Sequence, residues 1–366
     1  MDFIPLANPD IRESDINLVN DVLRSGMLVQ GKYVEKLEQR FAEIVEVSNG
    51  IAVSNGTATM HLALRVLGIG PGDEVIVPAF SYVATANVVE LVGATPVFVD
   101  IDINTFNIDT EKIEAKITKS TKAIIPVHEF GLSCDIEAVV EIARQYNLFV
   151  IEDAACAFGA TQNGKSVGSF GDFGSFSLHP RKSITSGEGG IITTDNRGYA
   201  KKIGQLRNHG IEYVNGQMEF VAPGFNYRMT DFQAALAYGQ SLRIEEIIQL
   251  KNTLADVYLN EISNSDIKLP YIPHDRNHTW QTFHIVLGDK YEQQAVIRKL
   301  KDNNIGVNYG AQCIPATHYY QQKYGLNYTS LFPSAYRAYK SGIALPCYEK
   351  LNIEQVKYIA NVINLL

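Results

Sequence analysis

Residues 122–155, KAIIPVHEFGLSCDIEAVVEIARQYNLFVIEDAA, decide the fold. The apolar run KAIIPVHEFG leads into DIEAVVEIARQYN, whose apolar residues recur at helical spacing, and the apolar LFVIEDAA follows. The same alternation extends upstream. GIAVSN runs into the helix-spaced GTATMHLALRVLGIG and stops at the punctuating PGD. EVIVPAF is followed by VATANVVELVGA, and TPVFVDI by TEKIEAKI. Short, continuously apolar strands separated by helices of this length predict an α/β fold, a mostly parallel sheet covered on both faces. GSFSLHP and GGIITTD read as two further strands.

Past residue 230 the texture changes. TDFQAALAYGQSLRIEEIIQLKNTLADVYLNEI reads as a long helical region, broken near Gly239. TWQTFHIVL reads as a strand, YEQQAVIRKLKDNN as a helix and NIEQVKYIANVINLL as a closing amphipathic helix. The expected organisation is a large α/β domain over residues 1–250 and a smaller α+β domain over residues 251–366, without repeats or low-complexity segments.

A chain of 366 residues with 46% hydrophobic and 20% charged residues has the composition of a soluble globular protein with a large core. Its formal charge of -8 argues against nucleic acid, which calls for a basic face, and leaves small anionic substrates open. MDFIPLANPDIRESD has neither the basic nor the apolar region of a secretory leader, and no apolar run approaches the roughly 18 residues of a membrane span. Cys134, Cys156, Cys313 and Cys347 are scattered without a CxxC pair and read as reduced thiols. The expectation is a cytoplasmic protein without membrane partners. The pair His274 and His278 lies in a loop-like stretch, and no metal site is expected.

Ligands of an open parallel sheet bind at the carboxyl ends of its strands, and four features gather there. SNGTAT, residues 54–59, combines Gly56, the Thr57 hydroxyl and a helix N-terminus; it suits a phosphate, and equally a plain turn and helix cap. Asp153 ends a buried apolar strand, where a carboxylate needs a partner: the cap of the next helix or a cationic ligand. Tyr82, just past a strand end, either packs or faces a ligand. Lys182, in SFSLHPRKSITSGEGG (175–190), is a solvated turn lysine or one aimed into a pocket. Pyridoxal phosphate would use all four: an amine for a Schiff base, an acid against the ring nitrogen, a phosphate cradle and an aromatic ring to stack on. At a reference pKa near 10.4 only about one lysine in 2,500 is neutral at pH 7, so burial or a nearby cation is expected to lower the Lys182 pKa.

Nearly the whole chain resembles the sugar aminotransferases of the DegT/DnrJ/EryC1/StrS family, within the type I aspartate-aminotransferase fold. The resemblance is carried by VSNGTATMHLAL, GDEVIVPAFSYVATANVV, GATPVFVDID, VIEDAACAFGA, GDFGSFSLHPRKSITSGEGGIITT, RNHG and GFNYRMTDFQAALA. It implies a seven-stranded, mostly parallel sheet and pyridoxal phosphate as cofactor. By resemblance, Lys182 forms the Schiff base and shuttles a proton, Asp153 partners the ring nitrogen, and Tyr82 stacks on the ring. Gly56, Thr57 and Ser177 match phosphate ligands. Asn226 matches a residue that reaches the neighbouring subunit's phosphate, which implies a homodimer with shared sites. Where many relatives carry a glutamine that hydrogen-bonds near the cofactor's phenolic oxygen, this chain has Cys156, a weak donor. His318 matches a substrate-side histidine.

The resemblance further implies amino transfer from glutamate to a nucleotide-linked keto sugar, in amino-sugar synthesis for surface polysaccharide such as lipopolysaccharide O-antigen. HPRKSITSGEGG is similar to the loop of perosamine-synthase-like relatives, which act at C4 of 4-keto-6-deoxy sugars; C3-acting relatives more often carry a YPGKNLGAFGDGG-like loop. The alternatives are a C3-acting enzyme, a sugar 3-dehydratase, in which histidine replaces the lysine that Lys182 matches, and a cofactor-binding regulator without catalysis.

Overall fold

The computed structural model describes residues 2–366. Seven strands form the main sheet: β1 (Asn49–Val53), β2 (Glu74–Pro78), β3 (Thr95–Val99), β4 (Thr121–Ile124), β5 (Phe149–Asp153), β6 (Phe173–Ser177) and β7 (Gly190–Thr194), in the order β1-β7-β6-β5-β4-β2-β3. Only β7 runs antiparallel to its neighbours β1 and β6; every other pairing is parallel. The carboxyl ends of β1, β2, β4, β5 and β6 therefore lie along one edge.

Two helices, α1 (Glu13–Ser25) and α2 (Lys32–Val45), precede β1. Alternation along each strand builds a core on both faces. Val75 and Val77 of β2 face the same core as Met60, Leu62 and Leu64 of α3 (Gly56–Val66) and Val88 and Val89 of α4 (Ala84–Leu91). Ile76, between them, faces the opposite core, with Ile124 of β4, Val150 of β5 and Ile136, Val139 and Ile142 of α5 (Ile136–Tyr146). Helix starts are set by caps: the Asn55 side chain accepts from Ala58 N–H at 2.9 Å at the head of α3, and Asp135 does the same for α5 at 3.4 Å.

The long C-terminal helical region is two helices, Asp231–Ser241 and Ile244–Glu261. Gly239 lies inside the first, where a Cβ would strike the Asp15 carboxylate, and the break falls at Leu242–Arg243. There the Arg243 guanidinium turns to hold both Asp15 oxygens at 2.9 Å, which pins the helix junction to the N-terminal segment. The longer helix is rooted in two cores. Ile244 and Ile247 pack among Phe41, Phe158 and Phe176, whereas Leu254, Ala255 and Tyr258 pack among Phe283, Ile285 and Leu287. We propose residue 250, within this helix, as the division between the two domains.

The second core covers a three-stranded antiparallel sheet, Ile267–Lys268, Phe283–Leu287 and Gly342–Leu345, and takes in the closing helix Ile353–Asn364 together with Ile4 from the other end of the chain. A separate hairpin, Ile211–Val214 with Gln217–Phe220, turns at Asn215 and Gly216, whose φ values of 51° and 81° fit a tight two-residue turn.

Candidate active site

Lys182 follows β6 in a turn closed by its N–H to His179 O at 2.8 Å. Its Nζ donates to Cys156 Sγ at 3.0 Å, and Asp153 and Glu129 face it as well. Burial pulls the Lys182 pKa down, but Cys156, Asp153 and Glu129 outweigh it, so the ammonium is favoured beyond its ordinary value. The direction is opposite to the expectation from sequence, because the surrounding acids come from two other strand ends, far off in the chain.

Asp153, the last residue of β5, is 4% exposed. Its Oδ2 accepts from Thr85 Oγ1 at 2.8 Å and its Oδ1 from Ala155 N–H at 3.2 Å. Thr85 in turn lies 3.2 Å from Ser81 Oγ, so the first turn of α4 orients the carboxylate. Burial raises the Asp153 pKa against the lowering pull of these two bonds, of Lys182 and of His128. A buried carboxylate with spare lone pairs and a raised pKa is stabilised by a cationic N–H brought against it. Burial also pushes the Cys156 thiol up.

Behind the site, His128 and Glu152 form a fully buried pair at 3.0 Å. His128 Nδ1 accepts from Cys134 N–H at 3.1 Å, so the proton sits on Nε2 and points at Glu152. Glu152 also accepts from the N–H groups of Gly168, Phe170 and Gly171 at 2.7, 2.7 and 2.8 Å. This fixes the ends of β4 and β5 against the loop before β6. Reading from the sequence passed over His128, Glu152, Thr85 and Glu129; for Glu129 the signal was present, an acid just past the apolar AIIPV.

Gly56 and Ser177 are brought together across the sheet: a Cβ on Gly56 would sit 2.8 Å from Ser177 Cβ. The Thr57 side chain makes no hydrogen bond among the described residues, and the N-terminal N–H groups of α3 open on the same spot. Helix N-terminus, two hydroxyls and a glycine that leaves room form a cradle suited to a phosphate. With an enclosed amine and an oriented carboxylate on the same edge, the residues fit pyridoxal phosphate. Tyr82 is 65% exposed on this edge. Asn226 is exposed and its side chain has no partner among the described residues. Its neighbours are anchored: Phe225 N–H donates to Leu206 O at 2.6 Å, and Tyr227 O accepts from Ser54 N–H at 2.8 Å. His318 opens the exposed start of the helix His318–Tyr324, which docks on α4 through Tyr320 and Asn87 at 2.8 Å; it makes none of the contacts that join Lys182, Cys156 and Asp153.

The sequence profile of the DegT/DnrJ/EryC1/StrS aminotransferase family matches residues 9–364. The chain belongs to this family. As a DegT/DnrJ/EryC1/StrS aminotransferase it is a transaminase that depends on pyridoxal phosphate. It is 38% identical over 368 residues to the GDP-perosamine synthase of Escherichia coli O157:H7, covering 100% of this chain and 98% of that one. It is 36% identical over 368 residues to the spore coat polysaccharide biosynthesis protein SpsC of Bacillus subtilis, covering 97% and 94%. The fold superimposes on the putative sugar aminotransferase Spr1654 of Streptococcus pneumoniae in its PMP form, with a TM-score of 0.94 and 31% identity over 99% of this chain and 97% of that one. Among the described residues no helix is long and apolar enough to cross a membrane.

Proposed function

We propose that the protein transfers an amino group from glutamate to C4 of a nucleotide-linked 4-keto-6-deoxyhexose, as a cytoplasmic homodimer with shared active sites. The observation that carries this reading is the enclosure of Lys182 Nζ by Cys156, Asp153 and Glu129 on the sheet edge that also bears the Gly56–Ser177 cradle. When bound, pyridoxal phosphate carries the amino group and takes up into its ring the electrons of the bond broken beside it. Lys182 would hold the cofactor through Nζ and, as a free amine, would take and return a proton at Nζ. Asp153, oriented by Thr85 and Ala155, holds a proton on the ring nitrogen. Gly56, Thr57 and Ser177 bind the phosphate. Tyr82 covers one ring face and excludes water from it. Cys156, beside Lys182, takes the place at which many relatives have glutamine. His318 sits toward the sugar.

Asn226 reaches the partner's phosphate in this reading. Support for a dimer comes from apolar surface that a lone chain leaves in water: Tyr213 and Phe220 on the hairpin are 73% and 66% exposed, and Met27 and Val29 are 71% and 59% exposed. The C4 assignment is supported by the likeness to GDP-perosamine synthase and by the sequence of the turn after Lys182, which is held by Thr185 Oγ1 to Leu178 O at 2.8 Å and Gly187 N–H to Thr185 Oγ1 at 3.0 Å. This turn shapes one wall of the space in which the sugar ring must place its keto carbon near Lys182, with the nucleotide outward.

Incubation with GDP-, UDP- and dTDP-linked 4-keto and 3-keto sugars plus glutamate, read by mass spectrometry and NMR, tests the reading. Nitrogen at C4 is expected; amination of the 3-keto sugar alone overturns C4 and leaves amino transfer standing.

A further inference from the structure

Glu129 is placed from several sides. Its N–H donates to Asn107 Oδ1 at 2.8 Å, while Phe130 O accepts from Gln281 N–H and Gly131 O from Thr279 N–H, both at 2.9 Å. Phe130 and Gly131 reverse the chain with φ of 57° and 103°, and a Cβ on Gly131 would meet the Thr279 hydroxyl at 2.6 Å. So fixed, Glu129 is 4% exposed, and its Oε2 is buried with no hydrogen-bond partner among the described residues. An orphaned, buried carboxyl oxygen is destabilising, and a structural role does not explain it.

Lys182 and Asp153 face Glu129, the Ser81 hydroxyl and the Phe130 N–H reach its carboxyl group and favour its charged form, and Glu129 acts in turn on Cys156. On its other side a small cavity is walled by Phe106, His278 and His284. Burial drives both histidines down to about 3, so they are neutral there, and Lys182 is the cation that acts on Glu129; its Nζ is turned to Cys156 and makes no ion pair with Glu129, so exchange follows when the amine swings across to the free Oε2. Burial pushes Glu129 up to about 8, against the pull of Lys182. Asp153 is held by Thr85 and Ala155, and burial pushes the Cys156 thiol up, so neither stands as free to exchange a proton near neutral pH.

We propose that Glu129 is the proton-exchange partner of Lys182 during amino transfer. The proposal rests on the assignment of Lys182 made above. The acid form of Glu129 gives its carboxyl proton to the neutral Lys182 amine, which leaves a carboxylate beside an ammonium; the reverse step restores both. One O–H bond breaks as one N–H bond forms, and nothing is oxidised or reduced.

The test reads Lys182 directly. Cofactor-free full-length protein is pulsed with formaldehyde and a borane reductant between about pH 7 and about pH 11, and methylation of Lys182 is followed by peptide mass spectrometry. Above the pH at which Glu129 ionises, its carboxylate holds the Lys182 proton. Glu129→Gln is therefore expected to move the labelling midpoint down by about one unit, roughly a tenfold faster labelling at fixed alkaline pH, and Glu129→Asp to restore it. An unchanged midpoint in Glu129→Gln, or in Glu129→Leu if the amide variant does not fold, overturns the proposal. Wild-type protein offers an independent reading: the infrared carbonyl band of a buried carboxylic acid should disappear as pH rises through about 8, and the absence of any such titrating band overturns the proposal equally. Borohydride trapping of the cofactor on another lysine would defeat the assignment of Lys182 while leaving the midpoint comparison to stand by itself.

Discussion

The Lys182 ammonium donates to the Cys156 sulfur at 3.0 Å, a contact between the segment after β6 and the segment after β5. Burial pushes the Cys156 thiol up while Lys182 pulls it down, and in return Cys156 does more than either carboxyl group to favour the ammonium. Asp153 adds to this, and Glu129 adds its charge as pH rises through about 8.

Lys182→Ala should abolish turnover and leave a folded protein that still takes up pyridoxal phosphate without a covalent link. Borohydride reduction of the wild type followed by peptide mapping checks the assignment; label on any other lysine contradicts it.

Asp153→Asn should cripple turnover far more than it weakens cofactor binding, because a neutral amide, though still able to accept from Thr85, does not hold the ring nitrogen protonated. Preorganised charges of this kind are worth about 3–4 kcal/mol, some hundredfold or more in rate. Single-turnover rates and cofactor affinity measured on one preparation separate the two effects, and a rate loss below about tenfold counts against the role.

Mixing inactive Asn226→Ala and Lys182→Ala subunits should restore activity if Asn226 serves the neighbouring subunit's phosphate, since one site of each heterodimer is then intact. Tyr227 O is bonded to Ser54 N–H of its own chain, so the route to the chain's own cradle is also short. No recovery despite proven subunit exchange places Asn226 within its own site.

Gly56→Ala should weaken cofactor retention by about tenfold or more, because the new methyl group would press on Ser177 Cβ at 2.8 Å and narrow the cradle. Titration of the cofactor-free variant with pyridoxal phosphate gives the affinity; unchanged affinity would remove the phosphate from this spot.

Stability should depend on pH through Glu129. Its acid form is favoured on folding, so the contribution is complete below the unfolded value near 4.5 and is lost as pH rises through about 8. Cofactor-free wild type should lose a few kcal/mol over that window, and Glu129→Gln should lose visibly less. Parallel slopes of denaturation midpoint against pH for the two proteins contradict the raised value.

The sheet was legible because its strands are short apolar runs that end in punctuation, and Asp153 and Lys182 were legible because charge at such an end demands a reason. Glu129 stands in the same position after AIIPV and yields to the same argument. The clasp of Thr85 on Asp153 is not readable in this way, since it depends on β2 and β5 ending at one edge, 68 positions apart. The rise in the Lys182 pKa escaped for the same reason: its acids converge only on folding. Gly239 looked like a helix break, yet it is there to admit Asp15, while the real break follows from Arg243 reaching back to that residue. The hairpin carried a plain signal, Asn215-Gly216 between strand-like runs.

The helix Ile244–Glu261 contains neither glycine nor proline over its 18 residues and is packed at one end among the aromatic rings around Phe41 and at the other around Phe283. Such a helix behaves as an axle fixed in two bearings, and it has none of the usual kink points. Traffic of a sugar substrate must then be handled by parts that move without turning this axle: the turn after Lys182, the hairpin at 211–220 and the rim around Tyr82. Evolution of new sugar preferences in this scaffold would accordingly leave the axle alone and rewrite those rims.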